Sequence, residues 1–238
     1  MDRLSLDFLH ALQKDQISGV VSVCVNPQVH LAEMLGKKGV PLAGEMEGDC
    51  SVLVDPRILI TAGLEALAEK GKKHISYFSG KTSSDEALRF FKKELKRLGL
   101  KTNQEWIHDD LVAANDGAGW ECFKRMWRGF GPKPDGLLVM DDVLFNDIFM
   151  ALIELGVQIP EQLAVATHSN RGSGLQYPVP VTYLEVDPDE YVTLLGRQLV
   201  GLLRGELHGK QEALLPVRVV ETRDQERFAK SKPSLKND

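Results

Sequence analysis

The sequence predicts a doubly wound α/β fold, because short runs rich in β-branched residues alternate with longer helical patterns along the chain. Two further observations support it. Runs such as Gly136-Leu-Leu-Val-Met140 are continuously apolar, as strands buried on both faces of a parallel sheet are. Several helical patterns stop at a glycine, as at Gly39, Gly71 and Gly156, where a left-handed residue ends a helix without a Cβ clash.

Taken in order, Asp7 to Gln16 places Phe8, Leu9, Ala11 and Leu12 on one helical face. Gly19 to Val25 reads as a buried strand, Gln28 to Lys38 as a short helix, and a strand follows near Val40-Pro41. Val52-Leu-Val54 is a further strand, and Pro56 sits where a first helical turn tolerates it. Ile58 to Lys70 is a helix, with Leu64, Leu67 and Ala68 near helical spacing, and His74 to Phe78 a strand. A helix from Ser84 to Leu98, capped by Ser83 or Ser84, carries Leu88, Phe91, Leu95 and Leu98 on one side. The remaining strands are expected at Gln104–His108, Gly136–Met140, Leu163–Ala166, Val181–Val186 and Leu214–Glu221. Helices are expected at Gly119–Arg128, Asn146–Leu155 and Asp187–Arg204. The polar tail from Gln225 reads as a flexible terminus.

At 238 residues and 43% hydrophobic, the chain can bury a core in each of two lobes. The formal net charge of −5 speaks against a phosphate-binding surface spread over it, since such contacts need clustered Lys and Arg. No run reaches the ~18 consecutive apolar residues of a membrane span. The acidic start, Met1-Asp-Arg-Leu-Ser-Leu-Asp7, lacks a signal-peptide block, so the chain reads as cytoplasmic and without a membrane partner. Cys24, Cys50 and Cys122 are widely spaced and suggest neither a zinc site nor a disulfide framework; Cys24 reads as a small core residue.

The motifs that could carry chemistry fall short. Gly80-Lys81-Thr82 follows a strand and precedes a helix, as the end of a phosphate-binding loop does. That loop needs a glycine five residues before Gly80, and Ile75 stands there inside the strand. No dinucleotide glycine motif follows any strand. Asp141-Asp142 ends a strand, where ligands of parallel sheets bind. Adjacent strand residues point to opposite faces, so the pair reads as a polar ligand contact and not a catalytic dyad. His108-Asp109-Asp110 also ends a strand, but no second His at helical spacing supports a metal site. No nucleophile–base arrangement is visible. The expectation is therefore no enzyme, no metal and no cofactor.

Ser18-Gly-Val-Val-Ser-Val, Gly39-Val-Pro-Leu, Pro134-Asp-Gly-Leu-Leu-Val-Met-Asp-Asp142, Leu155-Gly-Val-Gln-Ile-Pro-Glu-Gln-Leu-Ala-Val165, Pro178-Val-Pro-Val-Thr-Tyr and Leu215-Pro-Val-Arg-Val-Val-Glu-Thr-Arg223 occur in this order. This ordered set resembles the effector domain of LacI/GalR-type transcription regulators, which share the fold of periplasmic sugar-binding proteins. The resemblance implies two parallel-sheet lobes joined by three crossovers, with residues 1–57 plus 184–212 in one and 58–183 plus 213–224 in the other. It implies a small polar ligand, a sugar or related metabolite, that closes the lobes, and a homodimer. The DNA-binding head and the first strand–helix–strand unit have no counterpart, so DNA is reached only through a module outside this chain and the N-terminal lobe is expected to be incomplete. The chain is then a fragment, a truncated product, or a lobe whose gap a partner fills. Where the family grips its effector with an Arg, counting back from Gly99 reaches Ala87 and counting forward from Gly80 favours Arg89. Where it places a ligand-binding Asp after the Val165 strand, Thr167-His168-Ser169 stands. The candidate contacts are Asp142 and Asp141 at one strand end, His168, Ser169 and Asn170 at the next, and Arg89 and Lys81 at the preceding helix. A solute-binding protein and a dimerisation module with a silent cleft are the alternatives.

Overall fold

The computed structural model describes residues 5–22, 29–44, 48–80, 85–113, 115–173 and 177–222. It divides into two units, Met1–Val54 with Asp187–Leu215, and Asp55–Val186 with Pro216–Asp238. The expected flexible tail from residue 225 lies outside the described residues, as do Lys81 and the Ser83/Ser84 cap.

The smaller unit holds α1 (Leu6–Gln13), β1 (Val20–Ser22), α2 (Val29–Lys38), β2 (Leu42–Gly44), β3 (Cys50–Leu53), α7 (Pro188–Leu203) and β9 (Gln211–Leu214). Its strands run parallel in the order β1-β2-β3-β9. Leu12, Leu31, Leu35 and Leu42 form an apolar cluster that joins α1 and α2 to β2. Asp187 caps α7 by accepting a hydrogen bond from the Asp189 amide, and Pro188 occupies the first turn, where its missing N–H costs nothing.

The larger unit holds α3 (Pro56–Glu69), β4 (Ile75–Gly80), α4 (Asp85–Leu98), β5 (Ile107–Leu111), α5 (Ala118–Arg128), β6 (Gly136–Val139), α6 (Asp142–Leu155), β7 (Ala164–Asn170), β8 (Thr182–Val186) and β10 (Arg218–Glu221). The sheet order is β10-β8-β7-β6-β4-β5, with every pairing parallel except that of β10 with β8. From β4 the chain steps outward to β5, then returns to the other side of β4 for β6 and continues to β7 and β8. The order therefore reverses between β4 and β6.

Both faces are covered. Phe78, Leu137, Val139, Val165 and Tyr183 pack with Phe123 of α5 and with Leu144, Phe145, Ile148 and Leu152 of α6. On the other face Tyr77 meets Phe91 of α4 with ring centroids 4.5 Å apart. There α3 approaches through Gly63, where a Cβ would lie 2.5 Å from Leu138 Cδ1 and 3.1 Å from Leu184 Cδ1. A larger residue at Gly63 would push the helix off the sheet.

Four elements differ from the sequence expectation. The strand expected at Gln104–His108 is a 3-10 turn over Gln104–Trp106 followed by β5. Trp106 is buried and meets His74 edge-on, so the turn seats the indole and pairing with β4 starts at Ile107. Helix α6 starts at Asp142 rather than Asn146, because the Asp141 carboxylate accepts from the Leu144 amide at 2.9 Å and caps it. β7 runs on to Asn170, so His168, Ser169 and Asn170 are strand residues. The single last strand is two. β9 pairs with β3 in the smaller unit and β10 with β8 in the larger, and Pro216 between them has no N–H for a ladder.

Replacing Gly63 with Ala is expected to cost about 1–3 kcal/mol, since Leu138 and Leu184 are fully buried and cannot withdraw freely. Gly196, in α7, has no atom within 4 Å of its would-be Cβ, so Gly196→Ala should stabilise by about 0.5–1 kcal/mol. Urea titrations of both variants check the pair; a neutral Gly63→Ala would refute the close helix–sheet contact.

Candidate functional site

In the larger unit the parallel strands β4 to β8 all end at one edge, and their carboxyl ends carry the polar residues singled out above. In strand order these are His168, Ser169 and Asn170 on β7, Asp141 and Asp142 after β6, Gly80 at the end of β4, and His108, Asp109 and Asp110 on β5. The point where strand order reverses, between β4 and β6, is where a crevice opens in such sheets, because the flanking connections leave to opposite faces. Asp141 and Asp142 are at that point.

The two carboxylates have different tasks. Asp141 is occupied as the α6 cap. Asp142, in the first turn, accepts from Asn170 Nδ2 through Oδ2 at 3.1 Å. This bond joins the head of α6 to the end of β7. Asp142 Oδ1 has no hydrogen-bond partner among the described residues.

His168 is largely buried, and its ring makes no hydrogen bond among the described residues. Burial pushes its imidazole below the ordinary value, against the opposite pull of Asp142 and then Asp141. At neutral pH it is therefore uncharged and offers one donor and one acceptor. Ser169 is buried and, by the pleat, points to the opposite face from His168 and Asn170. The structure thus groups Asp142, His168 and Asn170. Arg89 is exposed on α4 and nothing places it with them, while Ala87 is buried in the core.

Sequence reasoning missed Tyr177. It lies in the connection between β7 and β8, and its ring packs on Phe149 at 4.5 Å and Phe145 at 4.7 Å. Its hydroxyl is buried and has no hydrogen-bond partner among the described residues. Burial, then the charges of Tyr183 and Asp142, push its pKa up to about 12. No local motif marks Tyr177; only the fold brings it near the α6 head.

At the β5 end, the His108 ring lies tilted against Phe78 with centroids 4.6 Å apart, and its Nε2 is buried without a hydrogen-bond partner among the described residues. Burial lowers its pKa, and the Glu105 backbone and Asp110 oppose this. Cys122 on α5 is pushed up to about 11 by burial, so it is a thiol and a poor nucleophile near neutral pH. Among the described residues no cluster of three or more His, Cys, Asp or Glu side chains is arranged to hold a metal ion. An open groove of about 550 Å³ lies between α3 and α4, lined by Ile58, Ala62 and Phe90 with Arg57, Thr61 and Glu65. It contains no strand-end residue and none of the orphaned polar groups. No described helix is long and apolar enough to cross a membrane.

Residues 64–223 match the family described as a periplasmic binding protein-like domain. Among curated proteins, the chain is 21% identical over 164 residues to the uncharacterized HTH-type transcriptional regulator YkvZ of Bacillus subtilis, covering 67% of this chain and 48% of that protein. It is 25% identical over 149 residues to the HTH-type transcriptional repressor PurR of Pasteurella multocida, covering 61% and 42%. The chain thus spans about half the length of the curated relatives it matches. Among solved structures, the transcriptional regulator CelR in its cellobiose complex superposes with a TM-score of 0.73 at 18% identity, over 90% of this chain and 68% of that one. A LacI family regulator from Arthrobacter sp. FB24, in complex with lactose, gives 0.71 at 22% identity over 89% and 81%.

His168 makes stability depend on pH. Below its ordinary value of 6.5 the unfolded chain binds a proton that the folded chain refuses, so stability falls as pH drops from there toward the lowered folded-state value. His108 contributes with the same sign. Urea unfolding measured from pH 7 to 5 should show this decline, with a shallower slope in His168→Gln; an unchanged slope would show that His168 is not buried neutral.

Proposed function

We propose, on the premise that the chain belongs to the periplasmic binding protein-like domain family, that it is the effector-sensing part of a LacI-type transcription regulator. The observation that carries this reading is the joined pair Asp142 and Asn170 at the strand-order reversal of the larger unit, with His168 on the same strand making no ring hydrogen bond among the described residues. Ligands of open parallel sheets bind outside the carboxyl ends of the strands at such a point. Small-molecule sites place a few convergent polar groups on rigid elements in this way. The proposed ligand is a small polar metabolite, and it contacts Asp142, Asn170 and His168, with Asp141 holding the helix that presents them. Lys81, Arg89 and Ser169 remain candidate contacts of lower rank: the first lies outside the described residues, the second is exposed, and the third faces the other side of the sheet.

The role proposed for this arrangement is binding, not catalysis. The carboxylates are committed to a cap and an amide, and no nucleophile–base pair is formed at the described strand ends. The proposed output is a shift between two arrangements of the units, driven by lobe closure on the ligand and passed to a DNA-binding module. The protein that contains this chain acts, on this proposal, in the cytoplasm as a homodimer. The apolar surface a second copy would cover includes Val143, Met150 and Ile153, which lie exposed along α6. Sedimentation of the chain reads this directly: a dimer is expected, and a monomer at micromolar concentration contradicts it.

A thermal-shift screen against pentoses, hexoses, sugar phosphates, amino sugars and purines tests the site. A ligand present at about 100 times its Kd adds about 2.7 kcal/mol of stability, enough to move Tm visibly. Asp142→Ala should abolish that shift while leaving a cooperative melt. A shift that survives in Asp142→Ala would place the ligand elsewhere.

A further inference from the structure

Helix α7 of the smaller unit has two apolar faces. Through one of them Tyr191, Leu195 and Gly201 are buried, and the helix meets β2 and β3. The other is the set Val192, Gly196, Val200 and Leu203, whose spacing places all four within about a quarter turn of the helix surface. Val192 is 61% exposed, Val200 43% and Leu203 47%. A surface helix ordinarily turns one apolar stripe to its core and a polar face to water. Lone exposed apolar residues are common, but a continuous stripe marks a contact surface.

Gly196 stands in the middle of that stripe. A glycine inside a helix is destabilising relative to alanine, and no packed neighbour lies within 4 Å of its would-be Cβ, so the packing of its own unit gives no reason for it. Without a side chain there, a second helix crossing at Gly196 approaches to about 8 Å between axes, the short end of the usual range. The two ends of the stripe carry opposite charges. Asp189 is exposed in the first turn, and Arg204 is the exposed C-cap residue. Arg204 meets Glu206 at 3.9 Å with both side chains mostly in water, so that pair contributes little. A matching occupant needs an apolar face of equal length with the charges in reverse order. Helix α7 turned end for end has that pattern: about Gly196, Val192 comes opposite Val200, and Asp189 comes opposite Leu203, next to Arg204. Opposed helix dipoles favour the same arrangement.

We propose that α7 is a self-association face, on which two copies of the chain pack α7 antiparallel against α7, crossing at Gly196 and setting Asp189 of each copy beside Arg204 of the other. The occupant of the stripe is a second copy of this chain. The contact uses residues of the smaller unit, distinct from those exposed along α6, and it does not rest on the reading of the strand-end edge as a ligand site.

The test uses the full chain, with a cooperative melt of each variant establishing that it is folded. Gly196→Cys puts a thiol at the crossing point, where the open space accepts it. Under mild oxidation it should form a disulfide-linked dimer at least about tenfold faster than Lys92→Cys, because prior association raises the effective concentration of the second thiol. Lys92 is exposed on α4, so its variant measures random collision. Val200→Asp puts a charge into the stripe and should weaken association in sedimentation equilibrium by about tenfold. Asp189→Arg and Arg204→Asp should each weaken it several-fold through like charges set side by side, and the double variant should regain it. If Gly196→Cys crosslinks no faster than Lys92→Cys, or if Val200→Asp associates as the wild type does, the proposal is overturned and any dimer belongs to another face. A double charge variant no better than the singles overturns the antiparallel arrangement. A wild-type chain that stays monomeric overturns the proposal as well, and leaves the stripe to a different protein.

Discussion

The head of α6 is the junction on which the site depends. A helix that starts where a parallel strand ends leaves amide groups with no intrahelical partner, and here they face the edge where a ligand has access. The chain meets that requirement with two consecutive carboxylates. Asp141 takes the Leu144 amide, and Asp142 takes the Asn170 side chain from the neighbouring strand. A local capping requirement thus becomes a tie between β6, α6 and β7. It leaves one carboxylate oxygen of Asp142 without a hydrogen-bond partner among the described residues.

The rest of the larger unit holds that junction still. Phe145 and Phe149, one and two turns into α6, pack on Tyr177, and Leu144, Ile148 and Leu152 pack on the sheet. On the far face, α3 is drawn so close at Gly63 that a methyl group would collide with Leu138. Rigid packing below and unpaired polar groups at the edge are the arrangement expected of a preorganised binding site. A core built for stability alone would pair the Tyr177 hydroxyl and the His108 Nε2 nitrogen, both of which are buried without a hydrogen-bond partner among the described residues.

Much of this was legible in the residues. Apolar runs such as Gly136 to Met140 marked β6 and with it the parallel sheet, because a strand covered on both faces needs no alternation. The caps were harder to read. Asp141-Asp142 looked like a strand end, and its role as a helix start depends on a hydrogen bond to Leu144 that no spacing announces. Trp106 carried a β-type signature yet formed a 3-10 turn, since seating its indole mattered more than local propensity. The split of the last strand followed from Pro216, whose effect is visible in the sequence, but the assignment of β9 and β10 to different sheets is not. At the site, the polar residues of the β6 and β7 ends could be named in advance because strand ends are where ligands bind. Tyr177 could not, since its packing on Phe145 and Phe149 comes from the β7–β8 connection, which has no period.

The claim that the α6 head and the β7 end form one ligand-responsive junction can be tested most directly by hydrogen exchange of the full chain, with and without a compound that raises its melting temperature. Protection concentrated in residues 140–146 and 167–171 is the predicted result, since a ligand on Asp142 would slow opening of the cap and of the strand beside it. Protection confined to the smaller unit, or to α3 and α4 around Ile58 and Phe90, would contradict the claim and move the site away from this edge.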